Sequence, residues 1–316
     1  MHHLVTGGAG FIGSHLIDRL MADPAARVTC LDNLYTGSLD NLNRWLDDQR
    51  FSFIEADVSD PLCLQVDQIW HLACPASPPH CQSDPITTAR TCVLGTLNIL
   101  ELAHRSQARV LFTSTNDVYG DPLVVPQSEA YLGNVNSIGP RACYDEGKRM
   151  AETLCFDYAR LHRVSIAVAR IFNTYGPRMN PNDGSVIANF IGQALRGEPL
   201  TLYGDGLQTR SFCYVDDLID GLIALMNCRS QGPVNLGNPQ EITVANLARR
   251  VIEMVNPSLS VIHQQRPQDD PERCKPDITR AQFWLDWQPS VPLKSGLLQT
   301  ISHLRSALEL PASIAA

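Results

Sequence analysis

A glycine-rich turn near the start of the chain constrains the fold more than any other feature. Gly7, Gly10 and Gly13 follow the short apolar run His2–Thr6 and stand where a helical pattern, Phe11–Met21, begins. Glycines at this spacing permit a tight turn between a strand and a helix. They also let the backbone approach a pyrophosphate, which then faces the N-terminus of the helix. The turn therefore predicts a dinucleotide-binding unit of the Rossmann type.

An acidic residue at the end of the second apolar run indicates which dinucleotide binds. Asp32 directly follows the run 27–31, at the distance from the glycine turn where a carboxylate meets the ribose hydroxyls of adenosine. A carboxylate at this position repels a 2′-phosphate, so we expect NAD and not NADP as the cofactor. Asp57 and Val58 follow the third run and are expected near the adenine.

The rest of the first half alternates short β-branched runs with longer helical patterns. We predict buried parallel strands at 2–6, 27–31, 51–54, 68–72, 109–113 and 164–171, and helices that include 11–21, 85–106 and 143–162. This order predicts an α/β fold with a doubly wound parallel sheet, which binds ligands at the carboxyl ends of its strands.

Shorter elements with Pro and Gly between them begin after residue 172 and predict a smaller, interleaved C-terminal substrate-binding domain. We assign 1–172 to the NAD-binding domain, with a return to it at about 210–238, where a long amphipathic helix and a strand are predicted. The second domain then comprises 173–209 and 239–316.

Composition excludes several classes of protein. The 33 acidic residues outnumber the 25 Lys and Arg, and the resulting net charge of −8 argues against nucleic-acid binding. No secretory signal and no apolar run of about 18 residues is present, so neither export nor a membrane span is expected. The ten cysteines include no C-x-x-C pair, which predicts reduced thiols in a cytoplasmic protein and no metal site.

A tyrosine and a lysine in the helix 143–162 are candidates for catalysis. Tyr144 and Lys148 are four residues apart and share one face of the helix, while Thr115 and Asp117 follow the fifth strand. For tyrosine to act as a base at neutral pH, its pKa must fall by about three, which corresponds to about 4 kcal/mol. A lysine ammonium and an oxidised nicotinamide, each about 5–6 Å away, supply about 3 kcal/mol apiece at an effective dielectric constant near 20.

Several longer stretches carry a resemblance to a known family. They are His-Leu-Ala-Cys-Pro-Ala-Ser-Pro-Pro (71–79), Val-Tyr-Gly-Asp-Pro (118–122), Ile-Gly-Pro-Arg-Ala-Cys-Tyr-Asp-Glu-Gly-Lys-Arg (138–149), Ala-Arg-Ile-Phe-Asn-Thr-Tyr-Gly-Pro-Arg-Met (169–179) and Tyr-Gly-Asp-Gly-Leu-Gln-Thr-Arg-Ser-Phe (203–212). In these stretches, and over nearly its whole length, the chain resembles the extended short-chain dehydrogenase/reductase family, whose members act on nucleotide sugars. Within that family it looks most like the UDP-glucuronate decarboxylases.

The resemblance implies redox-neutral decarboxylation of UDP-glucuronate to UDP-xylose through a 4-keto intermediate, on NAD that stays bound. Tyr144 would take the proton of the sugar 4-hydroxyl with help from Thr115, and Lys148 and Asp117 would complete the catalytic group. Arg210 matches an active-site arginine that is expected near the substrate carboxylate or the enolate. The resemblance also implies a homodimer formed through a four-helix interface built from the helices at 85–106 and 143–162.

Binding residues are expected along the same stretches. Predicted NAD contacts are Gly7, Gly10, Phe11, Ile12, Gly13, Asp32, Asn33, Tyr35, Thr36, Gly37, Asp57, Val58, Leu72, Cys74, Thr91, Tyr144, Lys148 and Thr174. Predicted contacts of the UDP-sugar are Pro75, Asn98, Arg105, Asn173, Asn189, Tyr203 and Arg210.

The chain departs from the family pattern at a few positions. Asn116-Asp117 replaces a usual Ser-Glu, and the acid is shorter by one methylene, about 1.3–1.5 Å. Ser185 and Cys274 stand where arginines are usual, and Cys92 replaces an asparagine. Loss of two arginines weakens binding of a pyrophosphate unless Arg273 or Arg178 substitutes for them.

Two other functions remain open from the sequence. A 4-epimerase of UDP-sugars uses the same tyrosine, lysine and NAD. A non-catalytic NAD-binding regulator would keep the fold alone, although the intact Thr115, Tyr144 and Lys148 argue against it. A 4,6-dehydratase is disfavoured because Asn116 cannot protonate a leaving hydroxyl.

Overall fold

The computed structural model describes residues 1–308. In chain order its strands are β1 (His2–Thr6), β2 (Arg27–Asp32), β3 (Phe51–Glu55), β4 (Gln68–His71), β5 (Arg109–Thr115), β6 (Ile166–Ile171), β7 (Thr174–Tyr175), β8 (Leu200–Tyr203), β9 (Thr209–Ser211), β10 (Cys213–Tyr214), β11 (Val234–Leu236), β12 (Glu241–Thr243) and β13 (Val261–Gln264). Its α-helices are α1 (Phe11–Met21), α2 (Pro78–Ser83), α3 (Pro85–Arg90), α4 (Thr96–Ser106), α5 (Ala142–His162), α6 (Val186–Arg196), α7 (Val215–Asn227), α8 (Val244–Val255), α9 (Thr279–Leu285) and α10 (Leu293–Ala307). Residues 309–316, which we assign by sequence to the second domain, lie outside the described part.

Seven parallel strands form the central sheet, in the order β11-β6-β5-β4-β1-β2-β3. The chain leaves β1 toward β2 and β3 and then returns to β4 on the other side of β1. Between β1 and β4 the strand order reverses, which is where such sheets bind ligands. The predicted doubly wound parallel sheet is confirmed.

Apolar residues fill both faces of the sheet because its strands are buried. Leu4, Ile69 and Phe112 belong to the core on one face, whereas Val5, Trp70 and Leu111 belong to the core on the other. Alternation along each strand produces this division, since successive side chains point to opposite faces. No helix among residues 1–308 has both the length and the apolar character needed to cross a membrane.

One predicted helix contains a π-helical turn. The pattern at 85–106 predicts a helix, and the structure is helical throughout this range: α3 ends at Arg90, the π-helical turn spans Thr91–Gly95, and α4 begins at Thr96. The predicted helix is confirmed, and only the π-helical turn within it was not predicted. At Gly95 a Cβ atom would lie 2.7 Å from Cγ1 of Val58, so the turn fits closely against the segment after β3. Turns of this kind are frequent at functional sites.

The elements after residue 172 divide between the sheet and a second region. Helix α7 packs on β5 and β6, and β11 joins the edge of the sheet by pairing with β6. Three two-stranded pairings, β7 with β10, β8 with β13 and β9 with β12, lie outside that sheet.

A buried ion pair fastens α5 to the sheet. Arg170 on β6 donates to both carboxylate oxygens of Glu152 on α5, at 2.9 and 2.7 Å, and Ser114 at the end of β5 donates to the same carboxylate at 2.5 Å. The two charged side chains are only 13% and 11% exposed. The interaction fixes the helix that carries Tyr144 and Lys148 against the carboxyl end of β5.

We predict that Glu152→Gln lowers the free energy of unfolding by about 3 kcal/mol, because Arg170 then lies buried without a counter-charge. Urea denaturation at neutral pH measures the change. Glu146→Gln is the matched control on the same helix. Its partner Arg149 lies 3.4 Å away and both side chains are well exposed, so the change should stay within about 0.5 kcal/mol. Equal effects of the two substitutions would contradict the importance of the buried pair.

Candidate functional site

A cleft of about 790 Å³ opens at the carboxyl ends of the central strands. The predicted NAD contacts that line it are Gly7, Gly10, Phe11, Ile12, Gly13, Asp32, Asn33, Tyr35, Thr36, Asp57, Val58, Leu72, Cys74, Thr91, Tyr144 and Lys148, and the predicted sugar contact Pro75 lines it too. Residues from distant parts of the first 150 positions thus meet in one cavity. Its position matches the reversal of strand order between β1 and β4.

The glycine turn leaves no room for side chains on its inner side. A Cβ atom at Gly13 would lie 2.2 Å from the carbonyl oxygen of Gly7, and Gly7 itself has a φ of +71°. At Gly10 only that same oxygen is near, at 3.2 Å, and the remaining directions are open. The turn therefore presents bare backbone to the cleft at the N-terminus of α1, as the binding of a pyrophosphate requires.

Asp32 is held in a fixed position beside this turn. Its carboxylate accepts hydrogen bonds from the backbone N–H groups of Ala9 and Leu34, both at 2.9 Å. Burial raises the pKa of Asp32, and the two N–H groups oppose that effect. A Cβ atom at Gly37 would come within 3.1 Å of the same carboxylate, so glycine there keeps the approach to Asp32 open.

The guanidinium of Arg178, in the cleft wall, has a nitrogen donor without a hydrogen-bond partner. Arg178 lines the cavity, and its Nη2 atom binds Asp18 at 2.5 Å, whereas Nη1 is buried without a hydrogen-bond partner. An anionic group of a bound dinucleotide would satisfy that donor, so the residues present fit NAD. By contrast, the other candidate, Arg273, does not line the cleft; it is half exposed and binds Glu241 at 2.8 Å.

Tyr144 is buried at the inner end of the cleft. Its ring packs with Cys81 and Cys92, and Thr115, at the end of β5, accepts a hydrogen bond from the backbone N–H of Asp117 at 3.1 Å. The Nζ atom of Lys148 donates to the carbonyl of Thr113 at 2.9 Å and lies 5.8 Å from the centre of the Tyr144 ring. Burial, with a smaller contribution from Asp117, raises the pKa of Tyr144 well above its ordinary value. In the protein alone the phenol keeps its proton, so its deprotonation needs further positive charge beside it.

A second charged group adjoins the tyrosine. Asp117 accepts a hydrogen bond from Arg141 at 2.7 Å and one from the amide of Asn116 at 3.1 Å. Asp145, next to Tyr144, lies 3.9 Å from Arg141 and leaves its Oδ1 atom buried without a partner. Burial, and then the charge of Asp117, raises the pKa of Asp145 to about 8. Arg141 and Asp145 were not predicted as site residues, although their i, i+4 spacing beside Tyr144 was a usable signal.

Arg210 is already paired in the structure. Its Nη2 atom binds Asp270 at 2.6 Å and its Nη1 atom donates to the Thr209 carbonyl at 2.9 Å. Arg266 contacts the same carboxylate at 3.3 Å. Arg210 does not line the cleft described above, but the next residue, Ser211, donates to the carbonyl of Cys274 at 2.9 Å, and Asn116, beside Asp117, lies 3.7 Å from the Cys274 sulfur. The segment that carries Asp270 therefore lies close to the catalytic end of the cleft.

The next four predicted contacts, Asn173, Asn189, Tyr203 and Thr174, lie outside the cleft lining. Asn173 leaves its side-chain Nδ2 buried without a partner, Asn189 lies in α6, and Tyr203 ends β8 partly exposed. The Thr174 hydroxyl donates to the Phe172 carbonyl at 2.9 Å.

Of the seven predicted substrate contacts only Pro75 lines the cleft; the six that do not are Asn98, Arg105, Asn173, Asn189, Tyr203 and Arg210. On α4, Asn98 donates to the carbonyl of Val58 at 3.1 Å, and Arg105 donates to that of Leu62 at 2.6 Å. Conversely, the structure brings His80 and His303 into the cleft wall. Neither histidine was predicted, and no local motif marks His303.

The glycine cradle, the acidic residue at the end of β2 and the Tyr–Lys pair define a dinucleotide-dependent enzyme of the Rossmann class. Residues 3–237 match the model of the NAD dependent epimerase/dehydratase family, and the chain belongs to that family.

Three relatives illustrate its similarities. UDP-glucuronic acid decarboxylase 5 of Arabidopsis thaliana is 57% identical over 94% of this chain and 87% of its own. UDP-glucose 4-epimerase of Thermotoga maritima, solved with UDP-glucose, has a TM-score of 0.88 at 30% identity, covering 98% of this chain and 100% of that one. UDP-glucuronic acid 4-epimerase of Bacillus cereus, solved with UDP-glucuronic acid and NAD, has a TM-score of 0.88 at 27% identity over 97% of this chain and 100% of that one.

Proposed function

We propose that this chain is a UDP-glucuronate decarboxylase that converts UDP-glucuronate to UDP-xylose on bound NAD, without net oxidation. The observation that carries the proposal is the 57% identity, over 94% of the chain, to a relative named UDP-glucuronic acid decarboxylase. The intact group of Thr115, Tyr144 and Lys148 at the end of the cleft supports a catalytic role. Residues 1–172 with about 210–238 would hold NAD, and 173–209 with 239–316 the nucleotide sugar. We place the reaction in the cytoplasm.

When bound, NAD would supply the hydride acceptor for carbon 4 of the sugar and the hydride donor that closes a redox-neutral cycle. Tyr144 removes the proton of the 4-hydroxyl, and the hydroxyl of Thr115, at the end of β5, orients that hydroxyl. Lys148 lies 5.8 Å from the Tyr144 ring and stabilises the phenolate by about 3 kcal/mol at an effective dielectric constant near 20.

Decarboxylation follows from the chemistry of the 4-keto sugar. Its carboxylate is β to the new ketone, so loss of carbon dioxide leaves an enolate, which the hydroxyls of Tyr144 and Thr115 stabilise by hydrogen bonding. Protonation at carbon 5 then restores the ketone before hydride returns. We assign Arg210 to the substrate carboxylate or the enolate oxygen, as the family resemblance implies. In the structure its guanidinium is held by Asp270 at 2.6 Å, outside the cleft lining.

A second candidate function is 4-epimerisation of UDP-glucuronate. It is favoured by the structural likeness to the Bacillus cereus epimerase, which was solved with UDP-glucuronic acid and NAD. The likeness covers 97% of this chain. The identity of 27% is about half that to the decarboxylase relative, so we rank this function second.

We predict that the purified protein, incubated with UDP-glucuronate, releases carbon dioxide and forms UDP-xylose, while Tyr144→Phe abolishes turnover and retains NAD. Mass spectrometry and proton NMR identify the product, and the absorbance of the denatured protein's supernatant measures the NAD. Tyr131→Phe is the control, because that tyrosine lies outside the cleft lining. A product of unchanged mass with a galacturonate spectrum would establish epimerisation. Activity in Tyr144→Phe would refute the role of Tyr144 as the catalytic base.

We expect Asp117→Glu to retain or raise kcat, since the longer acid extends the carboxylate by about 1.3–1.5 Å while still reaching Arg141. Asp117→Asn removes the charge that neutralises Arg141 and should lower kcat. Steady-state kinetics on UDP-glucuronate compare the two variants. A large loss in Asp117→Glu would mean that the pocket is built around the shorter acid.

We also propose a homodimer formed through α4 and α5 with the π-helical turn between α3 and α4. Apolar side chains are exposed along these elements, among them Leu94 and Met150. Such residues are expected to be covered when two helices from each subunit pack together.

Light scattering of the whole protein should therefore give the mass of two chains, and Met150→Glu should shift it toward one. Phe283→Glu is the matched control, since this exposed apolar side chain lies on α9, away from the proposed interface. A wild-type protein with the mass of one chain contradicts the proposal.

A further inference from the structure

Four cysteines surround the buried Tyr144. Cys81 and Cys92 form an apolar cluster with the tyrosine, and Cys74 and Cys143 pack against it. All four are free thiols, and the Sγ atoms of Cys74 and Cys92 are 3.3 Å apart, within hydrogen-bond distance. The mechanism proposed above uses none of these sulfurs for chemistry.

The closest pair connects the cleft wall with the catalytic helix. Cys74 follows β4 and lines the cleft, whereas Cys92 lies in the π-helical turn and is only 2% exposed. A Cβ atom at Gly147 would lie 2.9 Å from Cβ of Cys92 and 3.1 Å from its sulfur. Cys92 therefore packs directly beneath the helical turn between Tyr144 and Lys148.

The hydrogen bond between the two sulfurs shifts their pKa values in opposite directions. That bond, and then the charge of Lys148, hold the pKa of the Cys92 thiol below its ordinary value despite burial, whereas the same bond, and then burial, raise the pKa of the Cys74 thiol well above its ordinary value. Cys92 is therefore the sulfur of the pair that more readily loses its proton, and it lies in contact with Cys74. A thiolate is the form of cysteine that attacks peroxides and disulfides. The cleft gives small oxidants a route to the Cys74 sulfur.

We propose that Cys74 and Cys92 form a reversible disulfide that switches this active site off under oxidising conditions. A thiolate of the pair attacks one oxygen of hydrogen peroxide, the O–O bond breaks, and the departing hydroxide is protonated to water. The second sulfur then attacks the resulting sulfenic acid, its proton leaves with the displaced hydroxide as a second water, and the S–S bond forms. Two thiols are oxidised and one peroxide is reduced, and a dithiol reductant reverses the change.

Formation of the bond must disturb the site. A disulfide has an S–S distance of about 2.05 Å, so sulfurs now 3.3 Å apart have to approach each other by more than an ångström. We expect the cleft wall at Cys74, or the turn beneath Tyr144, to shift with the two sulfurs, because both side chains pack in the cluster around the Tyr144 ring. A displacement of about 1 Å in a catalytic group lowers rates by about a hundredfold.

The test uses the whole protein with its bound NAD. Reduced protein is exposed to hydrogen peroxide, remaining thiols are alkylated, and peptides are mapped without reduction. We expect a peptide pair joined through Cys74 and Cys92, a loss of decarboxylase rate of about ten- to a hundredfold, and recovery of both with dithiothreitol. Cys92→Ser should start with the wild-type rate and resist the peroxide. Cys155→Ser, which removes another buried thiol from α5, should remain sensitive.

Other results would overturn either the pairing of Cys74 with Cys92 or its effect on the rate. Absence of the linked peptide, or linkage to Cys81 or Cys143 instead, overturns the pairing, and linkage without loss of rate overturns the switch. The peptide map of the wild-type protein decides the pairing even if Cys92→Ser fails to fold. The rate measurement rests on the proposed function: a reduced protein that never decarboxylates UDP-glucuronate refutes that function, while linkage and release of NAD on oxidation still decide whether the disulfide disturbs the site.

Discussion

The buried pair of Glu152 and Arg170 is the interaction on which the geometry of the site depends. It joins α5 to β6, and Ser114 extends it to the end of β5 through a 2.5 Å hydrogen bond. Arg170 also donates to the phenol of Tyr119 at 3.0 Å, which itself donates to Asn235 on β11. Networks of this kind are stable only when every member is satisfied. The catalytic helix therefore has one position relative to the strand ends.

Charge in the cleft explains how an acidic protein can hold anions. The net charge of −8 is spread over the chain, whereas Arg178, Lys148 and the N-terminus of α1 all face the cavity. The cations nearer the expected sugar end are neutralised, Arg141 by Asp117 and Arg210 by Asp270. These carboxylates fix the direction of each guanidinium, so binding of the sugar loses less side-chain freedom. Arg178, with its free Nη1, is the better placed to balance a pyrophosphate.

Local chemistry was predictable from the sequence, and contacts between distant segments were not. The turn at Gly7–Gly13 and the helix Phe11–Met21 depend on neighbouring residues alone, and both were predicted to their ends. The π-helical turn at Thr91–Gly95 packs against Val58 and α5, and hydrophobic periodicity carries no information about such contacts between distant segments. Likewise, Arg210 and its partner Asp270 are 60 residues apart. An active-site role for Arg210 could be predicted from the sequence, but its pairing with Asp270 could not.

Burial of Tyr144 has two opposing effects on the stability of its phenolate. A dry site strengthens the attraction between a phenolate and Lys148, but the same burial raises the pKa of the phenol. Cysteine thiols exclude water as small, weakly polar groups, and Cys81 and Cys92 fill the space beside the ring. A negative charge on Cys74 or Cys92, however, raises the pKa of the phenol further. Cysteines at these positions also have a chemical consequence. Two sulfurs in contact beside the ammonium group of Lys148 can be oxidised to a disulfide.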